Sequence, residues 1–174
     1  MKIRNSFLLL CILSSQFLMG QELLSALKSN DLLLHQANST TNLQRSSALS
    51  LPFSDDFAYE GVYPDANRWQ DRDVFVNRTY PIDPITIGVA TFDGLDEHGI
   101  PYDTTNFFTW GGADTLTSQP IDLGASQIAD SIYLSFFYQP KGRGDQPNSG
   151  GTTSGGDSLV LEFLNNSGQW IEQW

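Results

Sequence analysis

The chain has 174 residues, of which 40% are hydrophobic, 12% aromatic and 17% charged. This is enough apolar material for one folded domain and argues against wholesale disorder. The formal net charge is -11, and a surface this acidic repels phosphate backbones and anionic lipids, so we expect no nucleic-acid partner. The one cysteine is Cys11, which excludes a disulfide framework, a thiolate nucleophile and a Cys-ligated zinc site from the rest of the chain.

Residues 1–20 have the layout of a secretory signal peptide. Lys2 and Arg4 form a basic start, an apolar run from Phe7 to Leu13 follows, and Gly20 suits the last position before cleavage. The apolar run is too short for a permanent membrane anchor. The sequence therefore predicts a secreted or cell-surface protein, cleaved near Gly20, with no membrane anchor in the mature chain. The alternative is a buried N-terminal helix.

Residues 21–50 are predicted to form a polar linker that contains a short helix. Leucines at positions 23, 24, 27, 32, 33 and 34 have a spacing that suits a short amphipathic helix. The stretch that follows is rich in Ser, Thr, Asn and Gln, which is typical of a linker.

From residue 51 to residue 174, runs of aromatic and β-branched residues alternate with clusters of Gly, Pro, Asp and Asn. This pattern predicts an all-β sandwich or barrel built from short strands. The runs occupy residues 74–76, 86–92, 131–138, 158–164 and 170–174, and Asn165-Asn-Ser-Gly168 is a good hairpin turn between the last two. The last run stops at Trp174 without a turn or polar tail, so we expect the closing strands of the domain to belong to a longer protein.

Five motifs in residues 51–174 carry a family resemblance. They are Asp55-Asp-Phe57 ahead of Trp69, Gly88-Val-Ala-Thr-Phe-Asp-Gly-Leu95, Ala113-Asp-Thr-Leu-Thr-Ser-Gln-Pro-Ile-Asp-Leu123, Ile132-Tyr-Leu-Ser-Phe-Phe-Tyr-Gln-Pro-Lys-Gly-Arg-Gly-Asp145 and Asp157-Ser-Leu-Val-Leu-Glu-Phe163. As a set they resemble the N-terminal region of large Bacteroidota surface proteins exported by the type IX secretion system. More loosely, they resemble MAM-like and concanavalin-like jelly rolls, although MAM domains keep cysteines that this region lacks.

The resemblance implies a jelly-roll-like antiparallel β-sandwich that is incomplete at the C-terminus of this chain. It also implies a C-terminal sorting domain beyond residue 174, through which the protein would engage the secretion machinery. Proteins of this type are mostly of undefined activity, so the resemblance implies a location and a fold more than a chemistry.

Calcium is the cofactor that the acidic loops suit best, because it prefers oxygen ligands on loops. Five aspartates lie where predicted strands meet loops: Asp55, Asp56, Asp93, Asp96 and Asp157. The spacing of an EF-hand is absent, and the alternative is that these aspartates cap turns.

Aromatic side chains on β-sandwich modules can stack on sugar rings, and the candidates here are Trp69 and Trp110. The alternative is that both tryptophans belong to the core. The tripeptide Arg143-Gly-Asp145 lies in a Gly-rich loop and is of a kind that some cell-surface receptors read, although short tripeptides also arise by chance.

No catalytic residue is predicted. The histidines are His35 and His98, and neither an H-E-x-x-H nor a G-x-S-x-G motif is present. Three functions stay open: a non-catalytic extracellular surface module for adhesion or for glycan or protein binding, an accessory domain of a secreted peptidase or glycosidase whose catalytic domain lies beyond residue 174, and a purely structural spacer.

Overall fold

The computed structural model of the protein describes residues 27–36, 48–105, 111–124, 126–148, 150 and 156–174. The predicted signal peptide with its cleavage site near Gly20, most of the predicted linker, and the candidate Trp110 lie outside the described residues. Within them, no helix has both the length and the apolar character needed to cross a membrane.

The regular elements of the described residues are short, and most of them are strands. Strands β1 (Phe75–Asn77) and β2 (Val89–Thr91) form one antiparallel pair, and β3 (Glu162–Leu164) and β4 (Trp170–Glu172) form a second. The helical elements are α1 (Asp31–Gln36) and a single 3-10 turn over Ile128–Asp130. The predicted all-β class is confirmed in this coarse form.

Helix α1 lies within the segment where the leucine spacing predicts a short helix. Asn30 is the N-cap residue of this helix: its Oδ1 atom accepts a hydrogen bond from the Leu32 backbone N–H at 3.0 Å. Leu33 is the buried leucine of the helix, at 1% exposure. The helix packs tightly on Gly99: a Cβ atom there would lie 2.8 Å from Leu33 Cβ, and the Asn30 N–H donates to the Gly99 carbonyl at 2.9 Å.

The core of the described residues is small and centres on β1. Its members are each at most 4% exposed: Leu33, Val74, Phe75, Val76 and Leu95. Three consecutive apolar residues of this set are buried, which is the pattern of a strand covered on both faces. The β1–β2 pair has Phe75 opposite Thr91 and Val76 opposite Ala90.

Residues 117–122 run between two other segments and join them. Leu49 pairs with Ile121 in a parallel bridge, and Trp69 pairs with Ser118 in an antiparallel one. The Gln70 N–H donates to the Thr117 carbonyl at 2.8 Å and the Gln119 N–H donates to the Arg68 carbonyl at 2.7 Å. These bonds give residues 117–122 a hydrogen-bonded neighbour on each edge.

The β3–β4 hairpin confirms the predicted turn at residues 165–168. Gly168 has φ +75°, and the Asn165 Oδ1 atom accepts the N–H groups of Ser167 and Gln169, each at 2.9 Å. At the other end, the Leu161 carbonyl accepts both the Gln173 N–H at 2.7 Å and the Trp174 N–H at 3.4 Å. Two residues therefore oppose one, which is a β-bulge that changes the direction of the Trp174 side chain.

Residues 131–138 differ from expectation. Their sequence is typical of a strand, yet within the described residues they belong to no sheet. Their large apolar side chains are exposed, from 44% for Ile132 to 86% for Tyr133. The reason is that β-propensity is local, whereas a strand also needs a partner edge, and no described segment pairs with this one.

Candidate functional site

Three neighbouring aromatic rings lie at the junction of residues 131–138 with the β3–β4 hairpin, and we call Phe136, Tyr138 and Trp174 the aromatic cluster. The Trp174 ring centroid lies 5.6 Å from that of Phe136 and 5.4 Å from that of Tyr138, both in edge-on geometry. Phe136 and Tyr138 are 6.3 Å apart. The three side chains are 46%, 56% and 50% exposed, so each ring packs on the others and leaves about half of its surface open to solvent.

Two sets of hydrogen bonds hold the cluster in place. The Gln139 side chain, next to Tyr138 in the chain, bonds this segment to Ile82. Its Nε2–H donates to the Ile82 carbonyl at 2.7 Å, and its Oε1 accepts the Ile82 N–H at 3.0 Å. The bulge opposite Leu161 sets Trp174 against the other two rings. Phe136 and Tyr138 are two residues apart, which places side chains of an extended segment on one side.

The cluster offers ring edges and faces to an apolar or amphipathic ligand. Aromatic surfaces of this kind stack on the apolar faces of sugars and form the anchors of protein interfaces. The sequence predicts a strand at residues 131–138 and does not by itself indicate that Trp174 joins two of its rings. The available signal was the alternation of large rings at positions 136 and 138, together with the tryptophan at the end of the following hairpin.

Trp69, a predicted ligand-binding residue, is tied into the fold. Its Nε1–H donates to Asp55 Oδ2 at 2.7 Å. The Phe57 ring stacks on it at 5.8 Å and the Phe53 ring meets it edge-on at 5.4 Å. These contacts are those of a packing tryptophan; a ligand-binding role for Trp69 stays a prediction, and Trp110 lies outside the described residues.

Asp55 and Asp56, two of the predicted calcium ligands, organise the same region. Asp55 Oδ1 accepts the Phe57 N–H at 2.9 Å and lies 3.9 Å from the Arg68 guanidinium. Asp55 Oδ2 accepts the hydrogen bond from the Trp69 indole N–H. Asp56 Oδ1 accepts the Ala58 N–H at 3.2 Å. Both carboxylates therefore already have hydrogen-bond donors from the protein itself.

Asp96 and Asp157 act in the same way on their own loops. Asp96 Oδ1 accepts the N–H groups of His98 and Ile100, each at 2.9 Å, and Asp157 Oδ2 accepts the Asn148 N–H at 2.8 Å. Within the described ranges, no three His, Cys, Asp or Glu side chains form a group suited to a metal ion. Calcium binding stays a prediction, without a set of ligands brought together by the described structure.

Asp93 is the fifth predicted ligand, and the structure brings it beside Asp114, which sequence reasoning did not select. Asp93 Oδ1 accepts the Leu95 N–H at 3.1 Å and Asp114 Oδ2 accepts the Gly94 N–H at 2.8 Å. Their other oxygens, Asp93 Oδ2 and Asp114 Oδ1, are buried and accept no hydrogen bond from the described residues.

The surroundings of this pair favour the neutral carboxyl. Burial, followed by the negative charge of Asp114, raises the pKa of Asp93 to about 6 from an ordinary value of 3.8. Burial is also the main cause that raises the pKa of Asp114, which the hydrogen bonds from Gly94 and Tyr102 partly oppose. The pKa of the Tyr102 hydroxyl is raised as well, by burial and then by the charge of Asp114. Because its free oxygens are enclosed, the pair is suited to holding a proton rather than to reacting with a substrate.

No protein-family model matches the chain, and comparisons with curated proteins and with solved structures gave no match.

Proposed function

We propose that the protein is a non-catalytic extracellular surface module, part of a larger secreted protein, that binds a glycan or a protein or supports adhesion. The observation that carries this proposal is the aromatic cluster, in which three contacting rings are each about half exposed. Large rings held at the surface in contact with one another are costly to expose to water and effective as ligand anchors.

The absence of assembled catalytic groups among the described residues fits the same proposal. The pair of carboxyls with raised pKa, Asp93 and Asp114, has its free oxygens enclosed, and His98 is an exposed loop residue beside Asp96 and Glu97. Neither arrangement offers a nucleophile with an oriented base in an open cleft.

The proposal includes a jelly-roll-like β-sandwich as the complete domain and export through the type IX system. Two antiparallel pairs, and a segment at residues 117–122 bonded on both edges, support the fold. Support for the route of export comes from the sequence motifs and the signal-peptide layout.

The test uses the complete secreted protein on arrays of neutral glycans and of purified surface proteins. Replacing Tyr138 by Ala removes one ring of the cluster, and we expect about tenfold weaker binding, the effect of losing one aromatic anchor. Phe137→Ala is the matched control, because that side chain is 78% exposed and is its direct neighbour in sequence. A folded, complete protein that binds nothing on either array, or that loses equal affinity in both variants, would contradict the proposal.

A further inference from the structure

One face of the β3–β4 hairpin combines two carboxylates with two large apolar side chains. The register places Glu162 opposite Glu172 and Leu164 opposite Trp170, and residues directly opposite each other in an antiparallel pair project to the same side. We call these four residues the acidic hairpin face. All four are exposed, Leu164 at 56% and Trp170 at 50%.

This arrangement is unfavourable for the hairpin by itself. Like charges directly opposite one another on neighbouring strands repel, and a two-stranded hairpin is marginally stable in water. None of the ion pairs formed by the described residues includes Glu162 or Glu172. The fold therefore carries a facing pair of carboxylates without a counter-charge from the described part of the chain.

We propose that the acidic hairpin face docks a basic, extended segment of a partner protein, one that presents Lys or Arg side chains. The inference rests on the proposed function, since it names the class of partner for a surface module. A guanidinium or ammonium group between the two glutamates removes their repulsion. Trp170 supplies a ring for cation–π contact, and Leu164 supplies apolar surface for the aliphatic part of the same side chain.

The charge of the whole chain favours the same occupant. The formal net charge of -11 attracts basic partners over long range and raises their rate of encounter. A neutral glycan would use the indole and leave the glutamates repelling each other. A single divalent cation would find two carboxylates where it prefers about six to eight oxygen ligands. A basic segment uses all four side chains of the face.

The probe is a fluorescein-labelled peptide of alternating Arg and Ser, titrated into the complete protein, with a peptide of alternating Glu and Ser as the control ligand. We expect the double variant E162Q/E172Q to bind the basic peptide about tenfold more weakly, and Trp170→Ala to have a similar effect. Trp170 fluorescence in the unsubstituted protein should change on binding, and this change should be absent in the Trp170→Ala variant.

The matched control is E60Q/D83N, which removes the same number of charges from two exposed positions elsewhere. We expect this variant to bind within about threefold of the unsubstituted protein. Equal weakening in the two double variants would show diffuse attraction to an acidic surface and would overturn the proposal, as would unchanged binding by E162Q/E172Q.

Two further outcomes identify a different occupant and also overturn the proposal. A concentration-dependent dimer in sedimentation that shields Trp170 would assign the face to a second copy of the chain. A large loss of thermal stability in E162Q/E172Q, with Trp170 shielded in the free monomer, would assign it to another segment of the same protein. A ligand bound through the aromatic cluster, which Tyr138→Ala weakens, should bind normally to E162Q/E172Q. A negative result for the acidic hairpin face therefore leaves the proposed function to be tested by Tyr138→Ala.

Discussion

Asp114 and Asp93 are joined through one glycine turn: Asp114 Oδ2 accepts the Gly94 N–H at 2.8 Å, and Asp93 Oδ1 accepts the Leu95 N–H at 3.1 Å. Each carboxyl keeps one buried oxygen that accepts no hydrogen bond from the described residues. Two buried acceptors beside each other are best satisfied when one of the acids is protonated and donates. The pair is therefore a place where stability and pH are coupled.

We expect the Asp93–Asp114 pair to lower the stability of the protein as the pH rises. The pKa of Asp93 is raised to about 6 in the folded state from 3.8, so the folded state holds its proton more tightly than the unfolded chain does. The stabilising contribution is fully present below pH 3.8 and is lost as the pH rises towards about 6. Urea unfolding at a series of pH values measures this dependence.

Asp93→Asn isolates the contribution of the pair from that of the other acids. The amide can donate to the buried Asp114 oxygen at every pH, so we expect the variant to be more stable at pH 7 by about 0.5–1.5 kcal/mol, the net value of one hydrogen bond. The difference between variant and unsubstituted protein should shrink at acid pH. A difference that stays constant between pH 4 and pH 7 would contradict the assignment of a proton to this pair.

Trp69→Ala should reduce stability without removing ligand binding. The indole packs against the rings of Phe53 and Phe57 and donates to Asp55, so its loss leaves a cavity and an unpaired carboxylate oxygen. We expect a loss of about 2–4 kcal/mol in the free energy of unfolding, measured by urea denaturation. The conservative variant Trp69→Phe keeps most of the packing and should lose less. A folded Trp69→Ala protein that loses only its ligand would instead establish Trp69 as a binding residue.

Gly88→Ala should be severely destabilising. A Cβ atom at this position would overlap the Phe57 carbonyl oxygen and lie 2.8 Å from the Phe57 carbonyl carbon, so the two backbone segments would have to move apart. The Gly88 N–H also donates to the Asp56 carbonyl at 3.1 Å, so the movement would break the contact between these segments. Gly111→Ala is the control, because a Cβ there meets no atom of the described residues within 4 Å. Thermal melts that shift equally in the two variants would disprove this close approach.

Calcium should change the melting temperature little if turn capping accounts for the predicted ligands. Asp55, Asp96 and Asp157 each accept backbone N–H groups of their own loops, and metal binding would have to replace these bonds. We expect melts in excess CaCl2 and in excess EDTA to agree within about 1 °C, because a ligand stabilises only the state that it binds. A rise with calcium that Asp96→Asn abolishes would instead confirm the calcium prediction.

Local chemistry accounts for the parts of the fold that the sequence predicted. The runs at residues 158–164 and 170–174, with the Asn165–Gly168 turn between them, indicate the β3–β4 hairpin, since turn geometry depends on a few neighbouring residues. The apolar run at residues 74–76 indicates β1, because strand propensity is also a property of neighbouring residues. Residues 131–138 have equally strong strand propensity, yet none of the described segments pairs with them.

The candidate sites also divide into features set by local sequence and contacts set by tertiary structure. Sequence alone determined the acidic charge, the lack of catalytic motifs and the aspartates suited to turns, because these are properties of composition and of close neighbours. Only the tertiary structure decided that Asp114 lies beside Asp93, that Trp69 packs on Phe57, and that Trp174 joins Phe136 and Tyr138. Each of these contacts joins residues from 12 to 38 positions apart. Chain closure and packing bring such residues together, and no local periodicity encodes which distant partners will meet.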